Sequence, residues 1–360
     1  MRDLLDDIER WNAAGRNVMV ARVVNVEGSG PRLAGAAMAV NETGEVSGSV
    51  SGGCIEGAVV TEALRLLPTG SRRLVSFGHS DDEAFAVGLT CGGTIQLFIE
   101  PFTGFEPLVD ALRREEPVAL ATIVDGPGIG AKMIVRSGAA RHGTLGDPDL
   151  DRVVGRDAAA ELAAATSAIR HYGPHGEARE DAVTVFIESF AAPPRMVIFG
   201  AVDFTAALAR AAKLLGYRVT VCDARETFAT RQRFPMADEV VVDWPQRFLE
   251  RIGAALGPRD AVCVLTHDHK FDVPAIRAAL ATDVGYIGAM GSRRTHAERL
   301  ARLREVGVDE VALERVMAPI GLDIGARTPE ETAISICAEI IRLRSGRSGC
   351  SLRDTDGAIH

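Results

Sequence analysis

Pro193 and Pro194 divide this chain. They stand in Ala191-Ala192-Pro193-Pro194-Arg195, between two apolar runs that read as strands, residues 183–190 and 196–199. Each proline fixes its own φ and pushes the residue before it toward extended backbone, so no helix crosses the segment. Residues 191–195 are therefore expected to be a linker, with one domain over residues 1–190 and another over residues 196–345. A chain of 360 residues holds about two domains at roughly 150 residues each, which agrees with one division near the middle.

The two sides of the linker differ in rhythm. Before it, the spacing predicts a helix over 4–14, a strand over 18–26, and a hairpin of 36–40 with 45–50 turned at Asn41-Glu42-Thr43-Gly44. Ile55, Val59, Ala63 and Leu67 share a face at helical spacing, so residues 54–67 read as a helix. Further strand-like runs cover 73–77, 94–100, 118–124 and 132–136. Strands outnumber helices and come in adjacent pairs, the pattern of an α+β domain. After the linker, strand 196–199, helix 204–215, strand 218–222 and the apolar runs 240–242, 261–265 and 284–287 alternate with helical segments. That alternation predicts a Rossmann-like, doubly wound parallel sheet and places the chain in the α/β class. Thr328 as cap, Pro329 at the first helical position and Glu331 completing a capping box announce a last helix, with Ile334, Cys337 and Ile341 on its apolar face. The tail, residues 346–360, is expected to be disordered.

Forty basic against forty-nine acidic residues leave a net charge of −9, a poor general match for nucleic acid or an anionic membrane. With 47% hydrophobic and 25% charged residues, the composition is that of an ordinary globular protein. No apolar run reaches the roughly 18 residues of a membrane span, and residues 1–16 lack the apolar stretch of a secretory signal. Six cysteines without regular spacing do not form a disulfide framework, so the expected compartment is the reducing cytoplasm.

Three glycine-rich loops fall in the first domain: Gly28-Ser29-Gly30-Pro31-Arg32, Gly48-Ser49-Val50-Ser51-Gly52-Gly53-Cys54 and Leu89-Thr90-Cys91-Gly92-Gly93. Glycine allows positive φ and close backbone approach, so such loops serve tight turns or aim several N–H groups at an oxyanion. The second loop runs into a helix, and Ser49, Ser51, Gly52, Gly53 and the helix dipole are expected to converge on an anion. At that helix start Cys54 is favoured as thiolate, able to bind a soft metal, accept sulfur or attack an electrophile, with Cys91 a second candidate thiol. Cys222 and Cys263 in apolar strands, and Cys337 on a helix face, read as core residues.

In the second domain, Gly200-Ala201-Val202-Asp203 follows a strand and opens a helix, the position of a dinucleotide fingerprint. Asp223, about twenty residues on, suits a ribose hydroxyl, but Val202 replaces the second glycine and Asp203 adds negative charge where an anion would dock. NAD(P) is thus a weak cofactor candidate. Thr266-His267-Asp268-His269 leaves the end of a strand, where open α/β sheets place ligands, and offers acid–base groups or metal ligands. Ser292, Arg293 and Arg294 join a strand end to a helix and suit an oxyanion or phosphate. Asp323, in Ala318-Pro319-Ile320-Gly321-Leu322-Asp323-Ile324-Gly325, lies on a loop that could close over a neighbouring pocket.

Together, Gly28 to Arg32 and Gly48-Ser49-Val50-Ser51-Gly52-Gly53-Cys54-Ile55-Glu56 resemble the N-terminal signature of the XdhC/CoxI family. Thr266-His267-Asp268, Tyr286-Ile287-Gly288-Ala289-Met290-Gly291-Ser292-Arg293-Arg294 and residues 318–325 resemble its C-terminal Rossmann domain. The resemblance implies an accessory protein rather than a turnover enzyme: a chaperone that binds molybdenum cofactor (molybdopterin), protects it, and helps insert its sulfurated form into an apo-molybdenum hydroxylase of the xanthine dehydrogenase type. A cysteine desulfurase is the implied sulfur source, and Cys54 the implied soft ligand near molybdenum or sulfur relay. Two alternatives stay open: an NAD(P)-dependent oxidoreductase with His267 or His269 as acid–base group, and a nucleotide- or redox-responsive regulator. A homodimer that builds the pocket also stays open.

Overall fold

The computed structural model describes residues 1–28, 32–78, 93–136, 138 and 140–356. Two compact units meet in sequence at Ala192 and Pro193.

The first unit runs α1 (Leu5–Ala13), β1 (Val18–Glu27), β2 (Ala37–Asn41), β3 (Val46–Gly48), α2 (Glu56–Leu66), β4 (Arg73–Phe77) and β5 (Thr94–Pro101). It continues with α3 (Glu106–Arg113), β6 (Val118–Asp125), β7 (Lys132–Arg136), β8 (Arg141–Gly143), α4 (Pro148–Ala164), β9 (Ala168–Tyr172) and β10 (Val183–Phe190). These form two five-stranded sheets of order β3-β2-β1-β5-β4 and β8-β7-β6-β10-β9, antiparallel throughout.

The second sheet repeats the first, element for element. In β1 the register against β5 slips between Val23 and Asn25, and in β6 the register against β10 slips between Ile123 and Asp125. Gly48 and Gly143 end the third strand of each module with φ of +81° and +85°. A Cβ there would meet the carbonyl oxygens of Ala37 and Lys132 at 2.5 and 2.4 Å. Leu97-Phe98-Ile99-Glu100-Pro101-Phe102 answers Val185-Phe186-Ile187-Glu188-Ser189-Phe190. The first unit is a tandem duplication, which the residue spacing did not predict, nor did it predict α3, α4, β8 and β9.

Each sheet buries one face under its own helices, α2 on the first and α4 on the second. The other faces share a seam of Val24, Phe98, Val124 and Phe186. In that seam Arg22 is wholly buried. It donates to Glu100 at 2.6 Å, Glu188 at 3.1 Å and Thr122 at 3.1 Å, the partners a buried guanidinium requires.

The second unit comprises β11 (Arg195–Phe199), α5 (Asp203–Leu214), β12 (Arg218–Asp223), β13 (Glu239–Val242), α6 (Pro245–Ile252), β14 (Ala261–Val264), α7 (His269–Leu280) and β15 (Tyr286–Ala289). It ends with α8 (Arg293–Glu305), α9 (Glu310–Leu313), β16 (Val316–Met317) and α10 (Pro329–Ser345). Its strands lie in the order β13-β12-β11-β14-β15-β16, all parallel. This is the expected doubly wound Rossmann sheet, with α5 and α10 on one face and α6, α7 and α8 on the other.

The capping box at Thr328 and Glu331 is present, but the buried face of α10 is Ala333, Ile336, Cys337 and Ile340, whereas Ile334 and Ile341 are exposed. The apolar residues wrap more than one stripe of this helix, so spacing alone did not select the one facing the sheet. A short turn, Leu352–Asp354, forms within the tail, of which residues 357–360 lie outside the described residues.

Candidate functional site

The loop between β3 and α2 is built around one acceptor. Gly52 and Gly53 take φ of +79° and +120°, and the curled backbone turns its amides inward. Their target is the chain's own Glu56. Its carboxylate accepts from the amides of Val50 at 3.2 Å, Ser51 at 2.9 Å, Gly52 at 3.0 Å and Gly53 at 2.9 Å. The hydroxyls of Ser49 at 2.7 Å and Ser51 at 2.5 Å complete the cradle. Burial acts to raise the Glu56 pKa, but the hydrogen bonds from Ser51 and Ser49 overcome it and hold the carboxyl down at about 2. The donors expected to converge on an anion, Ser49, Ser51, Gly52 and Gly53, converge here on the Glu56 carboxylate. They form an anion seat, and an internal carboxylate a few residues along sits in it.

Cys54 follows this seat. The helix begins at Glu56, later than expected, with Ile55 as its cap residue. The Cys54 and Ile55 amides both donate to Ser51 Oγ, at 3.0 and 3.1 Å, fixing the backbone that carries the thiol. The half-buried Cys54 side chain packs beside the apolar cluster under α2. Gly28, with φ +74°, brings β1 to the start of β5: a Cβ on it would lie 3.5 Å from Gly93 Cα. Arg32 is exposed, while Ser29, Gly30, Pro31 and Cys91 lie outside the described residues.

In the second unit the remaining candidates lie along one edge, the carboxyl ends of the parallel strands. Backbone bonds stitch this edge: Gly200 N to Cys222 O, Leu265 N to Phe199 O, Met290 N to Val264 O and Ile320 N to Ala289 O. Gly200 has φ +108° and lies against the next strand end, where a Cβ would come 2.9 Å from Thr266 Cγ2. The sheet order reverses between these strands, the usual position of a ligand crevice. The Ala201 amide, however, donates to Asp223 at 2.7 Å, and Arg225 grips the same carboxylate through Nε at 2.9 Å and Nη2 at 2.7 Å. Burial opposes the charge on Asp223, yet the bonds from Arg225 and Ala201 keep its pKa below the ordinary carboxylate value. Arg233 takes the Ala201 carbonyl at 3.1 Å. In this turn, a weak dinucleotide candidate by its residues, the Ala201 amide and carbonyl are thus both engaged within the chain.

Two further candidate sites have partners within the chain. Asp268 is the cap of α7, accepting from the Lys270 amide at 3.1 Å and pairing with its ammonium at 3.1 Å; the amide bond is the main reason its pKa is lowered. Its carboxylate is engaged in capping the helix. Ser292 caps α8 by accepting from the Thr295 amide at 3.1 Å, and Arg294 pairs with Glu298 at 3.1 Å. Arg293 is exposed and makes no ion pair among the described residues. His267 and Asp323 are exposed. Burial pushes Cys222 and Cys337 up to about 12 and about 11, and Cys263 higher, in keeping with core positions. Among the described residues, no three His, Cys, Asp or Glu side chains gather as a metal site, and no helix is long and apolar enough to cross a membrane.

One buried pair on this edge has no signature in the residue pattern. Arg299 and Asp272 are both fully buried and bonded at 2.9 Å. Arg299 also donates to Met290 O at 2.7 Å, and Thr266 Oγ1 donates to Asp272. The pair ties α7 and α8 to the strand-end loops that bear the candidate residues. Arg299 sits in a run of charged helix residues, so nothing marked it as inward-facing.

Known proteins share this architecture and sequence. The XdhC Rossmann domain family matches residues 196–340, and the XdhC and CoxI family matches residues 11–78 and 111–173. A Bacillus subtilis protein described as a probable xanthine dehydrogenase component is 28% identical over 333 residues, covering 91% of this chain and 93% of that protein. The molybdenum cofactor insertion chaperone PaoD of Escherichia coli is 27% identical over 342 residues, covering 94% and 87%. A crystal structure described as a xanthine dehydrogenase from Bacillus halodurans superposes with a TM-score of 0.70 at 26% identity, over 98% of each chain.

Proposed function

This chain belongs to the XdhC and CoxI family, and from that membership we propose that it is a maturation factor for a molybdenum hydroxylase of the xanthine dehydrogenase or carbon monoxide dehydrogenase type. It binds molybdenum cofactor as cargo, protects it and helps insert the sulfurated form into the apo-enzyme. The observation that carries this reading is similarity along nearly the whole chain to a protein named a molybdenum cofactor insertion chaperone. In this reading the protein is not a turnover enzyme. A cysteine desulfurase supplies the sulfur, and the work takes place in the cytoplasm.

The cargo has an anionic phosphate, a hydrogen-bonding pterin and a dithiolene-bound metal. Arg293 and the first turn of α8 suit the anionic part. Cys54, on a backbone held by Ser51 Oγ, supplies a soft ligand or sulfur relay. NAD(P) is not favoured, because the Ala201 amide is already engaged by Asp223.

The test is the molybdenum and pterin content of the protein purified anaerobically from a host that makes the cofactor. Near-stoichiometric metal with pterin supports cargo binding, and transfer to an apo-hydroxylase then tests insertion. Absence of both overturns the reading. Unchanged cofactor retention and partner activation in Cys54→Ser would remove Cys54 from it.

A further inference from the structure

The tandem duplication lets the first unit serve as its own control. Gly35 and Gly130 are counterparts: their amides donate to Val23 O and Ile123 O, each at 2.8 Å. Through the strand registers Ala37, opposite Arg22, corresponds to Lys132, opposite Thr122. Ser167, just before β9, corresponds to Arg72, just before β4. Counted back from the paired strand starts Val18 and Val118, Leu4 corresponds to Gly104.

In the first module the space beside the third strand is filled: a Cβ on Gly48 would lie 2.5 Å from Leu4 Cδ2. In the second module Gly104 has no side chain to fill it. A cavity of about 370 Å³ opens there, lined by Arg72, Thr103, Gly104, Glu106, Lys132 and His142 among others. That volume falls within the roughly 300–1,000 Å³ of small-molecule sites. The two modules differ here in charge as well as space. Lys132 and Arg72 stand where the first module has Ala37 and Ser167.

Lys132 Nζ donates to Glu100 Oε2 at 2.6 Å and Gly130 O at 3.3 Å, and an ammonium has a third N–H. Arg72 Nε lies 3.8 Å from the same Glu100 oxygen and its guanidinium packs over Gly130. The N-terminus of α3 borders the cavity through Glu106 and Pro107 and has no capping side chain; Pro107 has no N–H, so the Glu106 amide and the positive end of the helix dipole are what it offers there. Glu106 is the one carboxylate in the lining, and it is exposed to screening by water.

We propose that this cavity binds a phosphate group, with Arg72, Lys132 and the Glu106 amide at the start of α3 as its donors. The inference stands apart from the cargo reading, which survives if phosphate binding fails. Titration calorimetry on the full chain tests it, with inorganic phosphate in one arm and glycerol 2-phosphate, a phosphate monoester, in the other. Saturable binding of at least one is expected. A tighter monoester assigns the rest of the cavity to the ligand's body, and equal affinities make free phosphate sufficient. Arg72→Ala should weaken binding about ten- to a hundredfold, Thr103→Trp should close the mouth, and Glu106→Gln should tighten binding. Arg114→Ala, an exposed arginine outside the cavity, should change nothing. No saturable binding of either probe at millimolar concentration, or equal affinity in wild type, Arg72→Ala and Thr103→Trp, overturns the proposal.

Discussion

Replacing Glu56 by glutamine removes the charge at the centre of the β3–α2 loop while keeping its shape. The wild-type carboxylate gathers four amides and two hydroxyls between 2.5 and 3.2 Å. Its pKa falls from an ordinary 4.5 to about 2, and at about 1.4 kcal/mol per unit this sets a ceiling of roughly 3 kcal/mol. Glu56 is only half-buried, so solvent screening reduces the contribution to about 1–2 kcal/mol. A depressed carboxylate pKa stabilises the fold fully above 4.5 and loses that contribution as the pH falls through about 2. Near pH 7, Glu56→Gln should therefore raise amide hydrogen exchange at Val50, Ser51, Gly52 and Gly53 about tenfold, which is about 1.4 kcal/mol of local opening. The stability gap between wild type and variant, followed by the fluorescence of buried Trp11, should shrink as the pH falls below 4.5 and approach zero only at about pH 2. Unchanged exchange near pH 7, or a gap that persists undiminished in acid, would refute the account of this loop.

Three other perturbations probe the scaffold. Arg22→Met leaves Glu100 and Glu188 buried without their guanidinium and should cost about 3–5 kcal/mol, read from denaturant unfolding through Trp11 in the first unit; a loss below about 1 kcal/mol would show that the seam does not depend on this ion network. Asp272→Ala strands the fully buried Arg299 and should cost a similar amount in the second unit, whose reporter is Trp244. Thr328→Ala removes a complete capping box and should cost about 1 kcal/mol, seen as faster exchange in the first turn of α10.

Much of the framework was legible because it rests on local rules. Pro193 and Pro194 stand beside the place where the two compact units meet, and the alternation after them pointed to a parallel sheet before any pairing was known. Thr328, Pro329 and Glu331 announced their helix in three letters. The duplication was not legible by the same means. Its two copies agree at few positions, such as Phe98-Ile99-Glu100 with Phe186-Ile187-Glu188, and those positions matter through contacts across the seam. Arg22 shows why: its counterpart is Thr122, so the one guanidinium that satisfies both glutamates breaks the repeat it holds together.

The glycine-rich loop carries the sharper lesson about reading a site from residues alone. Its serines and amides converge on one carboxylate, that of Glu56. What spacing could not reveal was the acceptor, because Glu56 also reads as an ordinary acidic residue in the first turn of a helix. Once the chain curls through Gly52 and Gly53, that carboxylate competes with any external anion as an intramolecular ligand, held at an effective concentration that free solutes rarely reach. An anion entering this loop must displace Glu56 or bind beside it. The candidate chemistry of the loop therefore moves from its amides to the thiol they leave at its rim, Cys54, whose backbone is fixed by Ser51 on the far side of the same carboxylate network.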